Sequence, residues 1–385
     1  MAKKKNIKFH SAEAVGDSTK TEELTPEQRR ERVVSTLTGE IGKMESKDFT
    51  FYFFVMDTKG TPNGTLNYMY DTAMELKDMG YRVAMLHGDK EFVGVGEWMG
   101  EEYASLPHYN IEKDGVKMSA SDFLIIPELF SNVMYRTMNL PCKRIVMLTN
   151  YNYLTEVIQP GVTWGEYNLI DCVVSSSMLE DKIKGVFPYL RTKVVRNMVS
   201  DRFKDDGEPK KLFVNIVSKS PSDMNRVVKE FFWKYPIYKW VAFRDIRGLS
   251  QENLADALKE SFLTVWIDEK SNFGYTPLEA MKAGNVVIAR IPEEKVEWAY
   301  RENGEINDSC IWFDKMDDVQ QLIAWAIDMF MGSRIPSEIT GDASMAYSMY
   351  SKDKFTESVR KAYIDGYVEE RKKELETALS IANKQ

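Results

Sequence analysis

Residues 272–290 read NFGYTPLEAMKAGNVVIAR. A small loop, Phe273-Gly274-Tyr275, precedes Thr276-Pro277-Leu278-Glu279, and an aliphatic run follows. Thr276 is a good N-cap, Pro277 suits the first helical position, and Glu279 stands three residues after the cap. This pattern predicts a capping box that opens a helix. The helix should run through Ala280, Met281 and Ala283 and stop at Gly284, a C′ glycine. Asn285 to Ile291 then reads as a buried strand. A glycine loop leading into a helix aims free N–H groups, and the positive end of the helix dipole, at whatever lies in front of it. Such a start is an anion site.

Outward from this stretch, strands and helices alternate. Strands are expected at Thr50 to Met56, Tyr81 to Leu86, Phe123 to Ile126, Arg144 to Leu148, Asp171 to Ser175 and Lys193 to Val199. A second series gives strands at Leu212 to Val217, Lys239 to Phe243 and Phe262 to Ile267. Helices are expected at Leu66 to Met79, Ser222 to Lys234, Gln251 to Ser261, Val319 to Met331 and within Lys352 to Asn383. Alternation of this kind means parallel sheets covered on both faces, an α/β fold. It occurs twice, about the polar break DRFKDDGEPKK (201–211). The expected organisation is two Rossmann-like domains facing a cleft, at 49–205 and 211–345, followed by an amphipathic helical stretch. Ligands of such sheets sit beyond the carboxyl ends of the strands. Here those ends carry the loops Asp57 to Thr65, Asn150 to Asn152, Ser218 to Asp223 and Asp268 to Tyr275. Residues 1–48 are polar and charged. They read as an arm, partly helical after Thr25-Pro26-Glu27 and otherwise mobile, with the compact chain starting at Phe49.

A chain of 385 residues suits two domains. Its net charge of −8 excludes a global pull toward nucleic acid or anionic membrane. A local route remains in the run Lys182, Lys184, Arg191, Lys193, Arg196, Arg202 and Lys204, opposed within its span only by Asp201. That run is either a solvated face or a holding site for an anionic acceptor. Cys142, Cys172 and Cys310 are far apart and lack metal-ligand spacing, so a reducing cytoplasm (a host's, if the chain is viral) is the expected compartment. There is no signal-peptide pattern and no apolar run long enough to span a bilayer.

Two motifs go further. VVRNMVSDRF (194–203) ends the first series, and NFGYTPLEAMKAGNVVIA holds the centre of the second. Here the chain resembles the retaining GT-B fold glycosyltransferases, the large group that uses nucleotide sugars. GTPNGTLNYMYDTAMELKDMGYRVAML (60–86) is similar to that family's first glycine loop and helix. GLSQENLADALKESFLTVWI (248–267) is similar to the segment before its carboxylate motif. CIWFDKMDDVQQLIAWAI (310–327) looks like the corresponding part of viral DNA glucosyltransferases.

The resemblance implies a UDP- or GDP-linked sugar as co-substrate, and helices at 352–385 that return to pack on the first domain. No Asp-x-Asp pair stands at a strand end, so no metal-bridged diphosphate and no other cofactor is expected. The resemblance also implies that Glu279 binds the ribose hydroxyls of the donor, and that Phe273, Gly274, Tyr275 and Thr276 face its phosphates or sugar. Lys219, in NIVSKSPSD, falls near the family's first basic residue, which neutralises the diphosphate leaving group; Arg226 is the nearest candidate for the second. The family's first glutamate position, eight residues before Glu279, holds Ser271, and Glu269 stands two residues upstream. On the acceptor side Gly64 and Thr65 occupy the first glycine loop. Asn150 and Tyr151 follow the strand after which the family has a histidine. The implied reaction moves a sugar to the hydroxyl of a glycan, a glycoconjugate or a hydroxymethylated DNA base. Two alternatives share the fold: a non-catalytic sugar-nucleotide or glycan binder, and a sugar-nucleotide epimerase.

Overall fold

The computed structural model describes residues 24–268, 270–271 and 273–384. Two parallel sheets organise it. The first contains β1 (Thr50–Phe54), β2 (Arg82–His87), β3 (His108–Asn110), β4 (Phe123–Pro127), β5 (Lys143–Leu148), β6 (Asp171–Val174) and β7 (Arg191–Val194). Their order is β3-β2-β1-β4-β5-β6-β7. The second contains β8 (Lys211–Val217), β9 (Ala242–Asp245), β10 (Ser261–Trp266), β11 (Val286–Arg290) and β12 (Ile311–Phe313), in the order β12-β11-β10-β8-β9. The α/β class follows from composition along the chain. β4 and β5 are buried at every position, as strands covered on both faces must be. In both sheets the strand order reverses beside the first strand, β1 or β8. That reversal opens a crevice at the carboxyl ends of the strands.

The helix Gly64–Asp78 connects β1 to β2 and begins at the Asn63 cap, whose side chain accepts the N–H groups of Thr65 and Leu66. Helices Pro221–Lys234, Gln251–Glu260 and Val319–Met331 cover the second sheet. The residues Lys352–Lys384 form one helical run whose middle, Arg360–Val368, is a π-helix. This run packs on the first sheet. Tyr363 meets Phe51 edge-on at 5.8 Å, and the Tyr367 hydroxyl donates to the Cys172 carbonyl at 3.0 Å.

One expectation changes here. Order does not begin at Phe49. A helix spans Pro26–Glu45, with Thr25 and Gln28 forming its capping box and Pro26 at its start. It lies along Glu369–Lys384. Its Glu40 is buried and accepts both the N–H and the hydroxyl of Ser121, at 2.8 and 2.7 Å. The polar composition of this segment concealed its docking, because it contributes only Met44 and the flanks of Leu37 and Ile41 to the core. Residues 1–23 lie outside the described residues.

Candidate active site

A cleft of about 430 Å³ opens between the carboxyl ends of the two sheets. The first sheet lends it the Thr61–Thr65 loop and, after β5, Thr149 and Asn150. The second lends Ser218 and Lys219 after β8, Arg247 after β9, Trp266 and Asp268 at the end of β10, and the loop that opens the Tyr275–Lys282 helix.

That loop departs from the expected capping box. The helix begins one residue before Thr276, and its N-cap is Gly274, with φ +74 and ψ 71 and no side-chain cap. A glycine takes this left-handed conformation without strain. A Cβ added there would sit 3.1 Å from the Trp266 ring and 3.2 Å from Pro277. Ser271 supplies the tether instead, its hydroxyl accepting the Gly274 N–H at 2.8 Å. The Trp298 ring nitrogen donates to the Phe273 carbonyl at 2.6 Å, and Phe273 packs edge-on against Tyr275 and Tyr350. The loop is thus held from behind, and the Tyr275 and Thr276 amides form the helix start beside the cleft.

Because Thr276 is not the cap, Glu279 is not a capping partner. It lies buried one turn into the helix. Burial, and then the carboxylate of Asp71 from the Gly64–Asp78 helix, raise its pKa to about 8. Asp71 is itself raised to about 7 by burial, although it accepts a 2.6 Å hydrogen bond from Tyr103. Both carboxyl groups are buried on helices of the two halves, and Glu279 is not among the residues that line the cleft.

Of the residues selected from sequence, the cleft gathers Gly64, Thr65 and Asn150 on one side. On the other it gathers Lys219, Ser271, Phe273, Gly274, Tyr275 and Thr276. Lys219 is exposed and pairs with Asp268 at 3.1 Å. A Cβ on Gly64 would come within 3.3 Å of the Tyr275 ring, so this glycine permits close approach of the two sides. Glu269 lies outside the described residues. The structure does not bring Arg226 to the cleft; Glu230 and Asp317 hold it on the outer helix face at 2.8 and 2.6 Å. Tyr151 also turns away. It packs under the Lys182 ammonium and lines a separate apolar cavity.

The basic run resolves into ion pairs at six of its seven positions, and Lys204 is exposed. Lys182 meets Glu294, Lys184 meets Glu180, Arg191 meets Asp171, Lys193 meets Glu370, Arg196 meets Glu297 and Arg202 meets Glu102. Its aromatic neighbours Phe187 and Tyr189 pack on each other. Among the described residues no group of His, Cys, Asp and Glu side chains could hold a metal ion, and no helix is long and apolar enough to cross a membrane.

Sequence reading missed three groups. Arg247 reaches the cleft while paired two-pronged with Asp245. Asn197 accepts the Tyr275 hydroxyl at 2.7 Å, and its buried amide nitrogen has no partner among the described residues. Glu128, immediately after β4, is wholly buried. One of its oxygens accepts Thr149 N–H at 3.1 Å, the Thr149 hydroxyl at 2.8 Å and Asn150 N–H at 2.8 Å. Burial raises its pKa to about 7. An acid directly after the apolar strand Phe-Leu-Ile-Ile-Pro was the available signal, since strand ends are where such sheets keep their polar work.

No family model matches the chain. The alpha-1,6-glucosyltransferase of Actinobacillus pleuropneumoniae serotype 7 (strain AP76) is 21% identical over 333 residues, 82% of this chain and 94% of its own. A solved structure of an S. aureus TarM mutant with fondaparinux, alpha-GlcNAc-glycerol and UDP aligns with a TM-score of 0.59 at 9% identity, covering 82% of this chain and 99% of that one. An alpha-glucosyltransferase solved with UDP and a 13-mer DNA containing a HMU base aligns with a TM-score of 0.56 at 11% identity, over 81% and 98%.

Proposed function

We propose that this chain, an α/β protein of the GT-B fold, is a glycosyltransferase that moves a sugar from a nucleotide-sugar donor to an acceptor hydroxyl. One observation carries the reading: the matched loop and helix start, Lys219 and the first glycine loop converge on one cleft between the sheets. The β8–β12 half takes the donor, and UDP in the aligned complexes makes a uridine diphosphate sugar the first choice. The Tyr275 and Thr276 amides and Lys219 meet its diphosphate, and Glu279 its ribose. Lys219 is exposed at its end of the pair with the largely buried Asp268, so its ammonium is open to a diphosphate. In the reaction the acceptor oxygen bonds to the anomeric carbon and the bond to the diphosphate breaks, with its electrons leaving on phosphate. The acceptor proton passes to the departing phosphate oxygen, with retention. Lys219 acts where that charge develops, which is where a cation is most effective.

A glycan or glycoconjugate is the favoured acceptor. Thr65, Thr149 and Asn150 offer hydroxyl and amide groups, and six of the seven side chains of the basic run are engaged in ion pairs. A hydroxymethylated DNA base is the second reading, favoured by the alignment with a DNA-bound enzyme. A panel of nucleotide sugars, scored for thermal stabilisation and nucleotide release with wild type and Glu279→Ala, tests the proposal. Stabilisation by one donor with slow release, both lost in the variant, supports it. Binding without release under every acceptor tried would favour a non-catalytic binder. Turnover to an isomeric sugar nucleotide would favour an epimerase. No response to any donor removes the donor site.

A further inference from the structure

Glu128 ends a chain of hydroxyl groups that leads into the cleft. Its oxygen accepts the Thr149 hydroxyl at 2.8 Å, and the Thr149 and Thr65 hydroxyl oxygens are 2.9 Å apart. A hydroxyl has one hydrogen to give. That of Thr149 is committed to Glu128, so the hydrogen between the two threonines comes from Thr65. Thr65 then has nothing left to donate. Any further group that meets its oxygen must bring its own hydrogen. The direction holds in either charge state of Glu128, because the accepting oxygen already faces three donors and a proton would reside on the other. That other oxygen is buried and has no partner among the described residues. A buried carboxyl half without a partner is uncommon and costly. Glu128 does not itself line the cleft; Thr149 and Thr65, which do, connect it to that space.

We propose that Glu128, through Thr149, fixes Thr65 as a hydrogen-bond acceptor, and that Thr65 receives an O–H of the acceptor substrate other than the one that reacts. The inference rests on the transferase reading above. Glu128 and Thr149 are positioning residues, and Thr65 touches the substrate. The chemical class that fits is a polyol, such as a sugar with neighbouring hydroxyl groups. Water also fits: one O–H points to Thr65, the second to the departing phosphate oxygen, and a lone pair to the anomeric carbon. Water therefore tests the site without knowledge of the natural acceptor.

The experiment measures UDP release from UDP-glucose with water as acceptor, for wild type and for Thr65→Val, Thr65→Ser, Thr149→Val, Glu128→Ala and Glu128→Gln. Thr65→Val and Thr149→Val are expected to lower kcat about tenfold, the worth of one well-placed hydrogen bond, with donor KM changed less than threefold. Thr65→Ser restores the rate, since it keeps the hydroxyl. Glu128→Gln keeps an oxygen for the three donors and retains more activity than Glu128→Ala. Adding Glu128→Gln to Thr65→Val should cost little more, because the two act along one chain. Thermal stabilisation by UDP checks that each variant is folded. Wild-type kcat in Thr65→Val, or equal losses in Thr65→Val and Thr65→Ser, overturns the proposal. A wild type that neither binds nor cleaves any nucleotide sugar defeats the transferase reading itself, and this inference falls with it.

Discussion

Gly274 decides what its neighbours do. From sequence, Thr276, Pro277 and Glu279 form a well-made helix start, and the local physics of capping gives no reason to look further. The left-handed glycine moves the start back by one residue, and this frees Glu279 for another role. Gly274→Ala is expected to cost about 1–3 kcal/mol from backbone strain and from contact with Trp266, read as a lowered Tm, and to weaken donor stabilisation in parallel. Glu279 also sets a pH dependence. Its folded pKa rises from the usual 4.5 to about 8, so the folded state holds more protons than the unfolded one between those values. Stability is then greatest below that window and falls as pH rises through it. Asp71 and Glu128 are raised and act in the same direction. Thermal melts from pH 5 to 8 should show a falling Tm, with a shallower slope in Glu279→Gln; an unchanged slope would refute the assignment. The loop and Lys219 were legible because a motif carried them. Glu128, Asp71 and Asn197 were not, because each matters through residues distant in sequence. Arg226 failed because spacing does not tell which face of a helix meets a cleft.

Elements were legible where they are long and periodic. The helix Val319–Met331 falls on its expected bounds, and the strands with continuous apolar runs lie within one or two residues of theirs. β3 and β12, three residues each at the sheet edges, carry too few side chains to show a period. The helix Ser337–Ser348 was missed, since its apolar face is small, with Ala343 and Ala346 as its buried residues. The helix Pro26–Glu45 is anchored by polar contacts more than by apolar area. Glu40→Ala leaves the buried Ser121 N–H without its acceptor, while the Ser121 hydroxyl keeps its contact with the Ser119 hydroxyl at 3.0 Å. It should lower stability by about 1–3 kcal/mol in urea unfolding, while Ser121→Ala on top of it adds little. If Glu40→Ala is neutral, the helix is held by something other than this contact.

Across the whole molecule, the two sheets meet through small numbers of polar contacts on both sides of the cleft. Gln251 reaches Asn67 at 2.5 Å and Tyr275 reaches Asn197 at 2.7 Å on one side; Lys182 with Glu294 and Arg196 with Glu297 join them on the other. Ion pairs engage six of the seven residues of the basic run, and the overall charge is negative. Unmodified duplex DNA should therefore bind more weakly than about 10⁻⁵ M at physiological salt, with a shallow salt slope. Fluorescence anisotropy at several salt concentrations checks this, and tight, steeply salt-dependent binding would move the DNA reading to first place. The two-sheet architecture was legible from alternation; the return of residues 352–384 to the first sheet was expected from the family resemblance alone, since no local pattern names its partners. Their contact has a consequence for how the protein is made. Phe355, Val359, Tyr363 and Tyr367 fill the same core as Phe51, Phe53 and Phe123, yet a ribosome adds them after both sheets have been translated. The nascent first sheet must wait with an open aromatic face while residues 195–354 emerge, about ten seconds at ordinary elongation rates. Release of the chain before residue 352 would strand that face in water, so the last helical run is needed to close the first core although it is the last part to be made.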